Sequence, residues 1–175
     1  DGYASDSAIH DLVDGLNQAA GSGTWNFSAP ASAVQGTDAI AQKIIYKPAV
    51  VHPVGSIAVL DSSVDAEFDD TKNRPTLAQT FEDIATGTVF TVAVNHLKSK
   101  GSSCDAQDDP DLLDGAGNCN LVRTRAAGAL GRWLATDPTG SGSAHFLITG
   151  DMNSYPMETP IQTLLNDFSY VDMLD

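Results

Sequence analysis

The sequence lacks any long apolar run. No stretch approaches the roughly 18 residues that a membrane-crossing helix needs, so no such span is expected. Positive charge is scarce, with 9 Lys and Arg against 23 Asp and Glu. Glutamate is scarcer still: it supplies only 3 of the 23 acidic residues, and Asp the rest. No Gly-rich phosphate loop of the Walker or dinucleotide kind occurs, and no G-x-S-x-G element marks a hydrolase serine. There is no internal repeat and no low-complexity tract. The chain opens on Asp1-Gly2-Tyr3 without a Met or a charged-then-apolar leader, which reads as a processed, trimmed or fragmentary start.

What is present suffices for one domain. At 175 residues with 42% apolar content, the chain is long enough to bury a real core. Its net charge of −14 repels nucleic acid at long range, because duplex affinity rests on Lys and Arg neutralising phosphates. A bound divalent cation reverses such a field locally. Lys98 and Lys100, then Arg123 and Arg125, bring four of the nine cations into two short segments. They form either a phosphate-facing patch or chance cations on a salt-tolerant acidic surface. The two cysteines, Cys104 and Cys119, bracket a loop rich in Asp and Gly. With no His partners to spare they suit a disulfide in an exported protein better than a zinc site.

Periodicity places the elements. Ser5-Asp6-Ser7 offers helix caps, and Ile9, Leu12, Val13 and Leu16 recur at helical spacing before Gly21–Gly23. Strands are predicted over 25–29, 39–46, 50–60 and 77–81, with 61–75 as an acidic surface loop. Residues 89–97 are the strongest strand. Val89, Thr91, Ala93 and Asn95 share one face, and Phe90, Val92, Val94 and His96 the other. An amphipathic helix spans 120–136, with Val122, Ala126, Ala129, Leu130, Trp133 and Leu134 as its buried stripe. The apolar run 144–149 reads as a buried strand, followed by a loop at 150–155 and a short helix over 158–165. Alternating strands and helices give the class α/β or α+β, with packed sheet and helix layers.

Four groups of residues are able to carry chemistry. Asp151 and Asn153 follow the strand that ends at Gly150. In an extended segment side chains two apart point the same way, at the carboxyl end of a strand where α/β sites sit. Their hard oxygens suit Mg²⁺ or Ca²⁺, although Gly, Asp and Asn equally spell a turn. His96 closes the strongest strand beside Asn95, with Lys98 and Lys100 just beyond. Such a His is able to donate to a phosphate oxygen near neutral pH, or is simply structural. The loop carrying Asp105, Asp108, Asp109, Asp111 and Asp114 either binds Ca²⁺ or stays solvated; it lacks the ligand register and closing Glu of an EF-hand. Arg123 and Arg125 lie roughly 200° apart on their helix, so one is expected to reach phosphate and the other the acidic loop. Gly36-Thr37-Asp38 is a turn with a possible substrate contact.

These residues, in this order, resemble the endonuclease/exonuclease/phosphatase superfamily. The strand with Asn95-His96-Leu97, followed later by Gly150-Asp151-Met152-Asn153, carries the likeness. The segments DGYASDSAIHDLVDGLN, GTDAI with IIYKPA, LAQTF, VNHLKSKGSSC, GNCN-LVRTRAA and GDMNSYPMETPI are similar to its bacterial extracellular nuclease branch. The resemblance implies a four-layer α/β sandwich of two packed mixed β-sheets with outer helices. It implies phosphodiester or phosphomonoester hydrolysis with Mg²⁺ or Mn²⁺, and nucleic acid as substrate; the acidic loop by itself offers Asp105, Asp109 and Asp111 as a possible Ca²⁺ site. Asp151 and Asn153 match the pair that places metal and phosphate, and His96 the residue that stabilises phosphate oxygens. Asn95, Lys98, Lys100 and Arg123 are expected to contact substrate. The resemblance also implies a Glu ligand on a strand before Asp1 and a late Asp-His pair, and this sequence has no His after Asn153. Residues 1–175 are therefore expected to be one domain of this type, lacking its N- and C-terminal strands. The alternatives are a phosphatase or lipid phosphodiesterase on the same core, or a non-catalytic secreted Ca²⁺-binding domain.

Overall fold

The computed structural model describes residues 7–30, 36 and 39–173. Along them run α1 (Ser7–Ala20), β1 (Asn26–Ser28), β2 (Ile44–Tyr46), β3 (Val51–Leu60), β4 (Arg74–Asp83), β5 (Val89–His96), α2 (Asn120–Leu134), β6 (Phe146–Asp151) and α3 (Thr159–Asp167). The expected caps Ser5 and Asp6, and Thr37 and Asp38, lie outside the described residues.

The two-residue alternation of β5 organises everything around it. Thr91, Ala93 and Asn95 are buried on one face and pair across β4 with Thr80, Ala78 and the strand end near Thr76. The four-stranded sheet has the order β3-β4-β5-β6. Its first two pairings are antiparallel and the β5–β6 pairing is parallel. A parallel pair needs a crossover connection, and α2 supplies it.

The α2 stripe read from the sequence is buried in full, with Ala126, Ala129, Leu130 and Leu134 closed to solvent. These residues meet Leu60, Phe68, Ala78, Ala93 and Leu97 in one core. Each Leu buried there contributes roughly 1.5–3 kcal/mol. Gly131 lets the Phe168 ring lie on the helix; a Cβ there would come within 2.4 Å of it.

The opposite face of the sheet meets a second, smaller one. Tyr46 of β2 packs on Phe81 of β4 with ring centroids 5.2 Å apart, and β1 pairs antiparallel with β2. Outside that sheet lies α1, with His10 edge-on to Phe27 at 4.9 Å and Asn17 hydrogen-bonded to both backbone atoms of Trp25. The layers run helix, sheet, sheet, helix: the four-layer α/β sandwich expected from the sequence.

Some expectations are corrected. The strand predicted over 39–46 shrinks to Ile44–Tyr46, which belongs to a different sheet from β3. The strand predicted over 77–81 is longer, because β4 is central and pairs on both sides. The run 144–149 is not a buried strand. β6 is the end strand of its sheet and Leu147 is about half exposed, so its apolar sequence reflects one covered face, not two.

A polar cluster sits among these apolar layers. Thr80 Oγ1 lies 2.6 Å from Thr91 Oγ1 and 2.7 Å from Thr139 Oγ1, so the turn after α2 is docked onto the sheet. Asp137 holds that turn by accepting the amides of Gly142 (2.7 Å) and Ser141 (3.2 Å). Those bonds, Gly142 first, hold its carboxyl below the usual range. A depressed carboxyl stabilises the fold above its unfolded-state pKa and loses that contribution as pH falls through its folded-state value. The stability gap between wild type and Asp137→Asn is therefore expected to shrink on acidification, read from urea unfolding at stepped pH; a gap constant with pH would contradict this.

Cys104 and Cys119 form a disulfide, with sulfurs 2.11 Å and Cα atoms 5.3 Å apart. Thiol titration of the denatured, unreduced protein should find no free thiol. Paired Cys104→Ser and Cys119→Ser substitution should lower unfolding free energy by about 3 kcal/mol for a closed loop of this length, measured by urea denaturation.

Candidate active site

The parallel pairing of β5 and β6 sets two strand ends side by side, with His96 in register with Asp151. His96 Nε2 lies 3.8 Å from Asp151 Oδ2, and both side chains reach solvent, at 29% and 61% exposure. Leu97 N donates to Asp151 O at 2.9 Å, so the pairing continues one residue past β5. The other Asp151 oxygen accepts the Asn153 amide at 2.8 Å.

Asn153 adopts a left-handed backbone (φ 47°), a conformation Asn tolerates better than most residues. Its side-chain nitrogen donates to Leu97 O at 2.9 Å. Asp151 and Asn153 are thus brought together by a turn pinned to β5. The extended geometry expected from their spacing is not what aligns them. Met152 between them packs against the α2 core and anchors the turn from below.

Gly150 is what lets the two strands close. Its φ is +113°, and a Cβ there would come within 2.0 Å of Asn95 O. Asn95 itself is buried, accepting from Thr76 Oγ1 at 2.6 Å and donating to Ala93 O at 3.2 Å. It buttresses the strand end from the core side, away from the position that substrate contact requires.

Arg123 is also placed away from solvent, fully buried on α2. Its guanidinium donates to Asn118 O (2.7 Å), Ala116 O (2.8 Å), Lys98 O (3.2 Å) and Ser154 Oγ (3.2 Å). Burial pushes its pKa down, while Glu158 and Asp109 favour the charged form. It therefore joins the segments after β5 and β6 rather than facing a phosphate, the role expected for it. Arg125 is exposed.

Lys98 presents its ammonium near the surface, donating to Ser102 Oγ at 2.6 Å. Lys100 is engaged with Glu158 and lies over the Tyr155 ring, 4.3 Å from its centroid. In the disulfide-bracketed loop, Asp109 is buried and caps α2, accepting Val122 N at 2.8 Å. Asp111 and Asp114 accept nearby amides, and Asp105 opens a short 3-10 turn. Among the described residues no three His, Cys, Asp or Glu side chains converge as a metal cluster.

The donor set at the strand ends nevertheless fits one kind of cation. Asp151 offers a solvent-facing carboxylate, and Asn153, bonding through its nitrogen, leaves an amide oxygen. Mg²⁺ is commonly held by one or two carboxylates, with waters and substrate oxygens completing its octahedron. A closed zinc site would need four ligands, mostly N or S, and His96 supplies the one such group beside Asp151 among the described residues.

Sequence reasoning did not single out Glu158 and Ser154, which lock the turn after Asn153. Glu158 carried a signal in being one of three glutamates in so acidic a chain.

No family model matches the chain, and no curated protein does so. Solved structures do. The human Nocturnin catalytic domain with bound sulfate superposes with a TM-score of 0.61 at 13% identity, covering 93% of this chain and 54% of that one. A mannosyl-6-phosphatase from Bacteroides thetaiotaomicron gives 0.55 at 13%, covering 91% and 53%. An endonuclease/exonuclease/phosphatase family protein from the same bacterium gives 0.54 at 13%, covering 94% and 58%. These likenesses show a shared fold, the four-layer α/β sandwich described above, and the chain spans about half the length of these structures.

Gly150→Ala is expected to cost on the order of 3 kcal/mol, as overpacking against backbone does, and to separate His96 from Asp151. Urea unfolding and the His96 imidazole NMR shifts, compared with those of Asp151→Asn, would check this. Unchanged stability would mean that β6 does not approach β5 as described.

Proposed function

We propose that this chain carries the phosphate-binding half of a secreted, divalent-metal-dependent phosphodiesterase that cleaves nucleic acid. One observation carries the reading. An imidazole and a carboxylate, far apart in sequence, meet at adjacent parallel strand ends 3.8 Å apart, with an amide locked beside them by Leu97 O. That juxtaposition rests on the Gly150 close approach to Asn95.

His96 is placed to donate to a non-bridging phosphate oxygen as negative charge builds there. Asp151 and Asn153 would hold Mg²⁺ or Mn²⁺, and the cation, when bound, supplies Lewis-acid charge to the phosphoryl group. Asp151 Oδ2 faces the imidazole at 3.8 Å, and the backbone amide that Oδ1 accepts from Asn153 orients the carboxylate. Lys98 adds positive charge at the rim. The disulfide, and the absence among the described residues of any helix long and apolar enough to cross a membrane, support an extracellular setting. The similarity to solved structures nearly twice as long supports the expectation that further strands of the domain complete the site. Ca²⁺ binding by the acidic loop remains the alternative use of Asp105, Asp109 and Asp111, and the engagement of Asp109 in capping α2 weighs against it.

A phosphatase reading is favoured by the net charge of −14, which suits a small phosphoester better than a polyanion. Activity separates the two. The full-length protein with Mg²⁺ is expected to cleave DNA or RNA, and His96→Ala to lower kcat by roughly 10²–10⁴-fold. Asp151→Ala should do at least as much harm, and Lys98→Ala should lower the salt slope of binding by up to about one unit. Hydrolysis of phosphomonoesters or phospholipids with nucleic acid left intact would favour the alternative. No hydrolysis with any divalent metal would overturn the enzymatic reading.

A further inference from the structure

The turn after Asn153 holds an aromatic ring where burial would ordinarily be expected. Tyr155 is 71% exposed and Met157 84% exposed, with exposed Pro156 between them. Exposed aromatic rings are common on mobile loops, but this loop is fastened at every step. Arg123 Nε donates to Ser154 Oγ. Glu158 N donates to Tyr155 O at 2.9 Å, and the Gln162 side chain donates to Pro156 O at 2.8 Å. Lys100, paired with Glu158, lies over one face of the ring. The other constraint is position: Tyr155 lines the same groove as Asp151, Asn153, Ser99 and Lys100. A rigid loop therefore presents an apolar ring within a few residues of the candidate phosphate site.

Resting on the phosphodiesterase reading above, we propose that Tyr155 is the stacking platform for the nucleobase of the nucleotide whose phosphate is held at Asp151 and Asn153. A base gains from stacking on an aromatic face without needing directional partners, which makes such platforms tolerant of base identity. A sugar ring in the same place would need hydrogen-bond partners for its hydroxyls. Tyr155, Pro156 and Met157 offer mainly apolar surface, so the patch matches a base better than a sugar. Lys100 holds the ring from one side by cation–π attraction. Because Glu158 retains that ammonium, removing the ring leaves the cation in place. In an acidic chain this contact supplies affinity that long-range charge cannot.

The test uses the full-length protein with Mg²⁺ and two oligodeoxynucleotides of equal length, one normal and one carrying tetrahydrofuran abasic residues throughout its centre. Tyr155→Ala is expected to raise KM for the normal strand by about 5- to 150-fold, the range of one lost base stack, with a much smaller change in kcat. Tyr155→Phe and Tyr155→Trp should stay within about twofold of wild type, since the ring and not the hydroxyl stacks. On the abasic strand, wild type and Tyr155→Ala should have equal KM. Cleavage of both strands by wild type, with no KM effect of Tyr155→Ala on the normal one, overturns the platform and leaves the phosphodiesterase reading standing. An equal KM loss on both strands overturns it as well, since the contact would then be to sugar, phosphate or fold. A KM effect seen only with a phosphorylated sugar, nucleic acid being left intact, overturns the base assignment together with the nuclease reading.

Discussion

A guanidinium closed to solvent sits behind the ends of β5 and β6, and the local structure is arranged to keep it satisfied. Burying a cation costs several kcal/mol unless its donors find partners, and Arg123 finds four acceptors in three different stretches of the chain. Its acceptors belong to Lys98, Ala116, Asn118 and Ser154. The first follows β5, the next two close the disulfide-bracketed loop, and the last follows β6. Glu158 and Asp109 add the compensating negative charge. One side chain thus fixes the relative position of the two segments from which His96 and Asp151 project. Lysine would not serve, because a single ammonium cannot spread donors over so many carbonyls.

The sequence carried the layers well and the loops poorly. The alternation in Val89–His96 and the 3.6-residue stripe of α2 are direct readouts of burial, and both were legible for that reason. His96 and Asp151 stood out because each closes an apolar run. Asn95 and Arg123 were legible as polar residues near the site but not as buried ones. Periodicity puts Asn95 on the face shared with Thr91 and Ala93, and the structure shows that face to be the buried one, with Asn95 satisfied by Thr76 and Ala93. Arg123 looks like a surface cation until the loop carbonyls that surround it are known, and loop paths leave no periodic trace. The apolar run before Gly150 misled for the converse reason: composition reports how apolar a strand is, not how many of its faces are covered.

The chain's negative charge and the phosphate contact proposed above are compatible through separation of scales. Over distances beyond a Debye length the surface charge is screened by salt, so the overall excess of carboxylates does not forbid a local anion contact. Near the site the carboxylates are already committed. Asp109 caps a helix, Glu158 holds Lys100, and one Asp151 oxygen accepts an amide. What a ligand would meet there is an imidazole, an amide, a rim ammonium and the remaining Asp151 oxygen rather than an open field of acidic groups.

The parallel pairing of β5 with β6 also has a temporal side. The antiparallel strands β3, β4 and β5 are joined by short or moderate connections and can zip locally. The last strand must wait for the whole acidic loop and α2 to be threaded, which is the kind of long-range closure that slows folding. His96 and Asp151 are therefore brought together by the one pairing of the four-stranded sheet that needs so long a closure. The approach of His96 to Asp151 thus reports, in one distance, that the crossover through α2 is complete.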